Sequence, residues 1–207
     1  MAVSVRDHRG TTMVVDYFKQ WKFNAGSTQP LVPKASFSGP ANRNLSLKNS
    51  RVRKLLQWEH QTFGINLGWT DDAEPATVKK VTRWFLTRRG TSTAPVTYGE
   101  LLALGYGTSP SYVEYEKRTV GINLGWSDSP CFEWKLLGGP HGHPVRAGEW
   151  LAIYNKKAGE CLIYFDRSAG GDIGWPSSQT WTDQLGDILT DAVKDYADEA
   201  VAILLAA

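Results

Sequence analysis

Cysteine is scarce. Two residues, Cys131 and Cys161, in a chain of 207 are too few for a disulfide framework and lack the paired spacing of a zinc site. Histidine is as sparse: His8, His60, His141 and His143 stand at no familiar metal-ligand spacing, so no metal or other cofactor is expected. Long apolar runs are missing too, and no stretch approaches the roughly 18 residues that a membrane span needs. The polar start, Met-Ala-Val-Ser-Val-Arg-Asp-His-Arg-Gly, has no signal-peptide core, so the expectation is a protein that stays in the cytoplasm or is secreted without a recognisable leader. Gly-x-Ser-x-Gly, P-loop and dinucleotide fingerprints are all absent, and no pair of carboxylates recurs in a way that suggests acid and base roles. The chain therefore reads as a binding module, not an enzyme.

What is abundant is aromatic surface. Nine Trp, eight Tyr and seven Phe accompany an apolar fraction of 42%, enough for a sizeable core and for ligand-stacking platforms. The net charge of +2 conceals an asymmetry. From Asp183 onward six acids face Lys194 alone, a segment of −5, which leaves +7 on the rest. Basic clusters at Arg51, Arg53, Lys54 and at Lys79, Lys80, Arg83, Arg88, Arg89 could attract polyanions, but faces this modest are common and nucleic acid is not the expected partner.

The strongest signal is an internal repeat. Gly64-Ile65-Asn66-Leu67-Gly68-Trp69 recurs letter for letter at Gly121–Trp126, and returns degenerately as Gly170-Gly171-Asp172-Ile173-Gly174-Trp175. Upstream the copies stay in step: Leu45, Trp58 and Trp69 match Leu102, Tyr115 and Trp126, and then Leu151, Tyr164 and Trp175, always at intervals of 13 and 11 residues. Each block is preceded by Trp21-Lys22-Phe23, Trp84-Phe85-Leu86 or Trp134-Lys135-Leu136, and copies two and three share Pro-Val-x-x-Gly-Glu at Pro95–Glu100 and Pro144–Glu149. Every copy offers about four short apolar runs between turn-forming residues. Their side chains alternate as in strands, so an all-β fold of about twelve strands, closed on itself, is expected.

A pseudo-three-fold, all-β domain with a Trp-x-apolar strand in each repeat resembles the β-trefoil superfamily, which includes ricin-B-like lectins, fascin-like actin bundlers, fibroblast-growth-factor-like cytokines and Kunitz-type inhibitors. The likeness covers residues 13–180, with repeats at about 19–78, 79–130 and 131–180. Ricin-type lectins carry Gln-x-Trp in each repeat. Here Lys19, Thr82 and Phe132 stand two residues before the Trp, and only Gln179-Thr180-Trp181 spells the motif, so no ricin-type sugar site is implied.

The repeated motif admits two readings. As a binding site, Trp69, Trp126 and Trp175 offer flat faces to a sugar ring, Asn66, Asn123 and Asp172 supply directed hydrogen bonds, and Asp71 and Asp128 add acceptors. Glycans or glycoproteins are then the partners, engaged through several weak sites at once. As structure, these Trp are core residues repeated because a closed sheet needs them, as Trp21, Trp84, Trp134, Trp58, Tyr115 and Tyr164 are expected to be. Polar groups inside the motif favour the first reading, since packing alone requires none of them. A carbohydrate-binding, lectin-like module is the primary expectation. A fascin-like protein-interaction or cytoskeletal module, and the targeting part of a toxin or pore-former, remain as alternatives.

Beyond the repeats the period changes. Leu185, Ile188, Leu189, Ala192, Val193, Tyr196, Ala197, Ala200, Val201 and Leu204 recur at three- and four-residue steps among acids, predicting an amphipathic helix over 181–207. Its stripe would be covered by the barrel, by a second copy in a homodimer, or by another region. An acidic face argues against insertion into anionic lipid.

Overall fold

The computed structural model describes residues 4–6, 12–14, 18–25, 28–34, 45–62, 64–70, 83–107, 111–118, 122–165 and 172–178. The expected helix over 181–207 and the candidate Asp71 lie outside them. The chain is all-β. A short hairpin, β1 (Ser4–Arg6) with β2 (Thr12–Val14), precedes three four-stranded antiparallel sheets. The first holds β3 (Trp21–Asn24), β4 (Ser46–Asn49), β5 (Leu55–Gln57) and β6 (Gly68–Thr70). The second holds β7 (Trp84–Thr87), β8 (Ala103–Tyr106), β9 (Ser111–Glu114) and β10 (Gly125–Ser127). The third holds β11 (Trp134–Leu137), β12 (Ala152–Asn155), β13 (Glu160–Tyr164) and β14 (Ile173–Gly174). Each sheet pairs its strands in chain order, as expected of hairpin-linked antiparallel strands.

None of these small sheets can bury both its edges and its apolar face alone, and the repeat supplies the closure. Trp21 bridges Leu151, Leu45 bridges Trp84, and Leu102 bridges Trp134, so the three sheets join in a ring. Each bridge is a reciprocal pair of backbone hydrogen bonds, between 2.7 and 3.3 Å. Leu45, Leu102 and Leu151, the repeat's leading residues, thus hold equivalent positions, and all three are fully buried. The three leading Trp hold the joints: Trp21, Trp84 and Trp134 donate their indole N–H to the carbonyls of Leu162, Leu56 and Val113, each at 2.7 Å. Giving a buried indole N–H such an acceptor is worth about 1 kcal/mol per bond.

A second ring closes where the β3–β4, β7–β8 and β11–β12 connections meet. Leu31 N–H donates to Val145 O, Val145 N–H to Val96 O, and Val96 N–H to Leu31 O, at 2.7 to 2.8 Å, with all three side chains buried. This cycle explains the shared Pro-Val pattern at Pro95 and Pro144 and reveals its third member, Pro30-Leu31, which the sequence comparison does not align. The following acids hold the turns: Glu100 accepts Thr97 N–H at 3.1 Å and Glu149 accepts Arg146 N–H at 3.2 Å. One aromatic expected in the core is not there. Trp58 is 49% exposed, at a place where the second and third copies set Tyr115 and Tyr164 partly buried.

Candidate functional site

The repeated motif is built into the frame. After Gly64, whose φ of 82° lies in the left-handed region, Asn66 turns its Oδ1 back to accept Gln61 N–H at 3.0 Å. Asn123 accepts Arg118 N–H in the same way at 2.9 Å. The carbonyls of Asn66, Asn123 and Asp172 accept the N–H groups of Glu59, Glu116 and Phe165. The expectation that packing requires no polar group in the motif therefore does not hold: the loop's own amides need an acceptor, and Asn supplies it. The second glycine has an equally local reason. Beside the backbone of Gly68 lies the Glu59 side chain, and beside that of Gly125 the Glu116 side chain, both exposed and each lying where a Cβ would otherwise project. Arg118 ties the first two motif loops together by donating to Gly64 O at 3.2 Å.

The three candidate Trp face the same core. Trp69 stacks on Trp21, with ring centroids 6.0 Å apart, and also meets Tyr164; Trp175 stacks on Trp134 at 6.3 Å and meets Tyr115; Trp126 tilts against Tyr106 at 6.4 Å. Trp175 is buried, and Trp69 and Trp126 are partly so. Each indole Nε1 is buried without a hydrogen-bond partner among the described residues. Asp128 is exposed beyond β10, and Asp172 is half-buried at the start of β14. The motif thus brings its Trp to one core, Trp175 wholly and Trp69 and Trp126 in part.

A different set of residues forms a concave surface. The β11–β12 connection folds over Tyr98 of the β7–β8 connection and leaves a cleft of about 630 Å³, lined among others by Tyr98, His143, Arg146, Glu149 and Trp150. Backbone bonds lace the two connections: Tyr98 N–H donates to His143 O at 2.9 Å, and Gly142 N–H donates to Tyr98 O at 3.0 Å. Glycine lets them approach, because a Cβ at Gly139 would sit 2.2 Å from the Tyr98 ring. Gly148 N–H donates to Phe23 O and Ala147 N–H to Gln29 O, anchoring the far wall to the first sheet.

The cleft's polar groups are set in position. Tyr98 donates its phenol to Glu149 Oε2 at 2.9 Å. Burial, and then the bond to the Glu149 carboxylate and its charge, push the phenol well above its ordinary range, so it stays a donor. His143, Arg146, Glu149 and Trp150 are exposed, Trp150 by 39%. The Lys22 ammonium sits 4.7 Å from the centroid of the Trp150 ring, in cation–π contact. Sequence comparison passes over Trp150 because it does not repeat: the matching positions carry Asn44 and Leu101. Comparison of the chain with protein-family models, curated proteins and solved structures finds no match.

Proposed function

We propose that this chain is a non-catalytic, carbohydrate-binding module of β-trefoil architecture that docks a saccharide in the cleft between Tyr98 and Trp150. The three equivalent sheets, the ring of bridges between them and the cyclic contact of Leu31, Val96 and Val145 support the architecture. One observation carries the functional reading: a 39% exposed Trp on the wall of a cleft of about 630 Å³, beside a guanidinium-bearing and a carboxylate side chain. A sugar ring needs an apolar plate for its C–H face and a few directed polar groups for its hydroxyls, and this cleft offers both. Among the described residues lining it, Glu149 is the single carboxylate, already engaged by Tyr98 and the Arg146 N–H. Glycoside hydrolysis ordinarily uses two, so binding is the better-supported role.

The test is a titration of the full chain against a broad saccharide panel, read by Trp fluorescence, with Trp150→Ala and Trp58→Ala compared. Trp58 is equally an exposed indole but lies outside the cleft. Trp150→Ala should weaken binding about tenfold or more, roughly 1.4 kcal/mol, and Trp58→Ala should stay within about twofold. Absence of any binder at millimolar saccharide, or a folded Trp150→Ala protein that binds as well as the parent, removes the reading.

A further inference from the structure

The exposed indole is flanked by an arrangement of charge that strand pairing does not require. β3 and β4 place Lys22 directly opposite Lys48. The same cross-strand position holds Phe85 and Gly105 in the second sheet and Lys135 and Tyr154 in the third. The fold therefore accepts at least three pairings there, and the first copy holds the one with two like charges, which oppose each other in a sheet. Burial, followed by the neighbouring charges of Lys22 and Arg53, lowers the Lys48 ammonium below its ordinary value, as expected of crowded cations. Arg53 comes from the β4–β5 turn, Ser50-Arg51-Val52-Arg53-Lys54, where it is exposed and adopts a φ of 57°, uncommon for a residue with a side chain. Asn49 fixes that turn by accepting Arg51 N–H at 2.9 Å.

Lys22 joins this cluster to the cleft, because its ammonium is the one poised over Trp150. On the cleft's side the indole is neighboured by Arg146 and His143, and the Glu149 carboxylate is turned to Tyr98. A saccharide ring against Trp150 thus meets the Lys22 ammonium on the first-sheet side, and among the described residues lining the cleft the one carboxylate, Glu149, is turned to Tyr98. We infer that the ligand of this cleft is an acidic saccharide, its ring against Trp150 and its carboxylate or sulfate group paired with Lys22 and Arg53. The inference rests on the carbohydrate reading above and specifies the class of sugar.

Titration of the full chain with three oligosaccharides of equal length, one uronate-bearing, one sulfated and one neutral, tests it, with single-stranded oligothymidylate as a plain polyanion. At least one acidic saccharide should bind about tenfold tighter than the neutral one at low ionic strength, with the preference shrinking as salt rises. Lys22→Gln, and independently Arg53→Gln, each verified as folded by circular dichroism, should cut the acidic-over-neutral ratio to roughly a third or less of its parent value. A neutral saccharide that binds as tightly as both acidic ones overturns the inference and leaves the carbohydrate reading standing. So does a ratio unmoved by both variants. Oligothymidylate binding as tightly as the acidic sugar, per charge, overturns it in favour of unselective polyanion attraction. If no saccharide binds at all, the carbohydrate reading falls with it.

Discussion

Gly105 should not tolerate a single added methyl group, and the reason lies across the strand. β7 and β8 pair Phe85 with Gly105, and a Cβ built on Gly105 would lie 2.2 Å from Phe85 Cζ and 2.4 Å from Cε2. Side-chain carbons essentially never approach below about 3.0 Å, so the ring must shift by most of an ångström. Its surroundings resist. Phe85 is 1% exposed, Tyr112 packs edge-on with centroids 5.6 Å apart, and the Lys34 ammonium sits 4.2 Å from the ring centroid. Overpacking of this kind costs about 1–3 kcal/mol. Replacing a strand glycine with Ala offsets some 0.5–1 kcal/mol of that by reducing backbone freedom in the unfolded chain. The net expectation for Gly105→Ala is a loss of about 1–2 kcal/mol, or roughly 2–8 °C in Tm for a domain of this size. Phe85→Leu should also destabilise, by about 1–1.5 kcal/mol, through lost burial. Combined, the two changes relieve each other, and the double variant should be more stable than their sum by about 1 kcal/mol. Thermal melts followed by near-ultraviolet circular dichroism supply all four corners of the cycle. A Gly105→Ala protein as stable as the parent, or strictly additive effects, refutes the placement of this ring.

Other consequences follow from the same packing. The buried Glu133 carboxylate accepts the Tyr115 N–H, accepts Asn155 Nδ2 at 3.0 Å and pairs with Lys157 Nζ at 2.7 Å. Glu133→Ala should therefore cost about 2–4 kcal/mol in urea unfolding, and Glu133→Gln clearly less, because Gln keeps an acceptor for the backbone; equal losses would contradict this. Cys161, on β13, has its thiol pushed up to about 12, first by burial and then by the charge of Glu160. Its neutral form is kept in the folded state, so the stability it contributes is full below the unfolded thiol's value near 9 and declines as pH rises from there towards 12. In the native protein at pH 8, iodoacetamide should leave Cys161 unmodified, and urea should expose it. Mass spectrometry showing native Cys161 alkylated at the unfolded rate would refute its burial. Glu100 both accepts the Thr97 N–H and pairs with Arg88, whose Nη2 donates to Oε2 at 2.7 Å. Glu100→Ala should cost about 1–2 kcal/mol, measurable as a shift in urea midpoint at constant slope.

How far the sequence reaches depends on whether a residue's reason is shared by all three copies. Trp21, Trp84 and Trp134 are legible because each closes the same joint, and Leu45, Leu102 and Leu151 because each forms the same bridge. Asn66 and Asn123 are also conspicuous by repetition, yet their polarity suggests a ligand where the loop's own amides are the partner. Composition cannot separate those uses, because an amide oxygen that caps a turn and one that binds a hydroxyl are chemically identical. Pro30-Leu31 escapes alignment for the opposite reason: only the backbone of the cyclic contact repeats, and a backbone hydrogen bond leaves little trace in side chains.

This asymmetry bears on where function is to be sought. Much of the identity across the copies serves ring closure, as the bridges of Leu45, Leu102 and Leu151 show. A residue that breaks the repeat carries no such obligation. Trp150 stands where the other copies have Asn44 and Leu101, and the facing pair Lys22 and Lys48 stands where they have Phe85 with Gly105 and Lys135 with Tyr154. Neither departure takes part in the bridges that close the ring. Lys22 meets Trp150 at 4.7 Å beside the cleft, so the break in symmetry is where the proposed saccharide site is to be tested, with the repeated Trp packed on the core beneath.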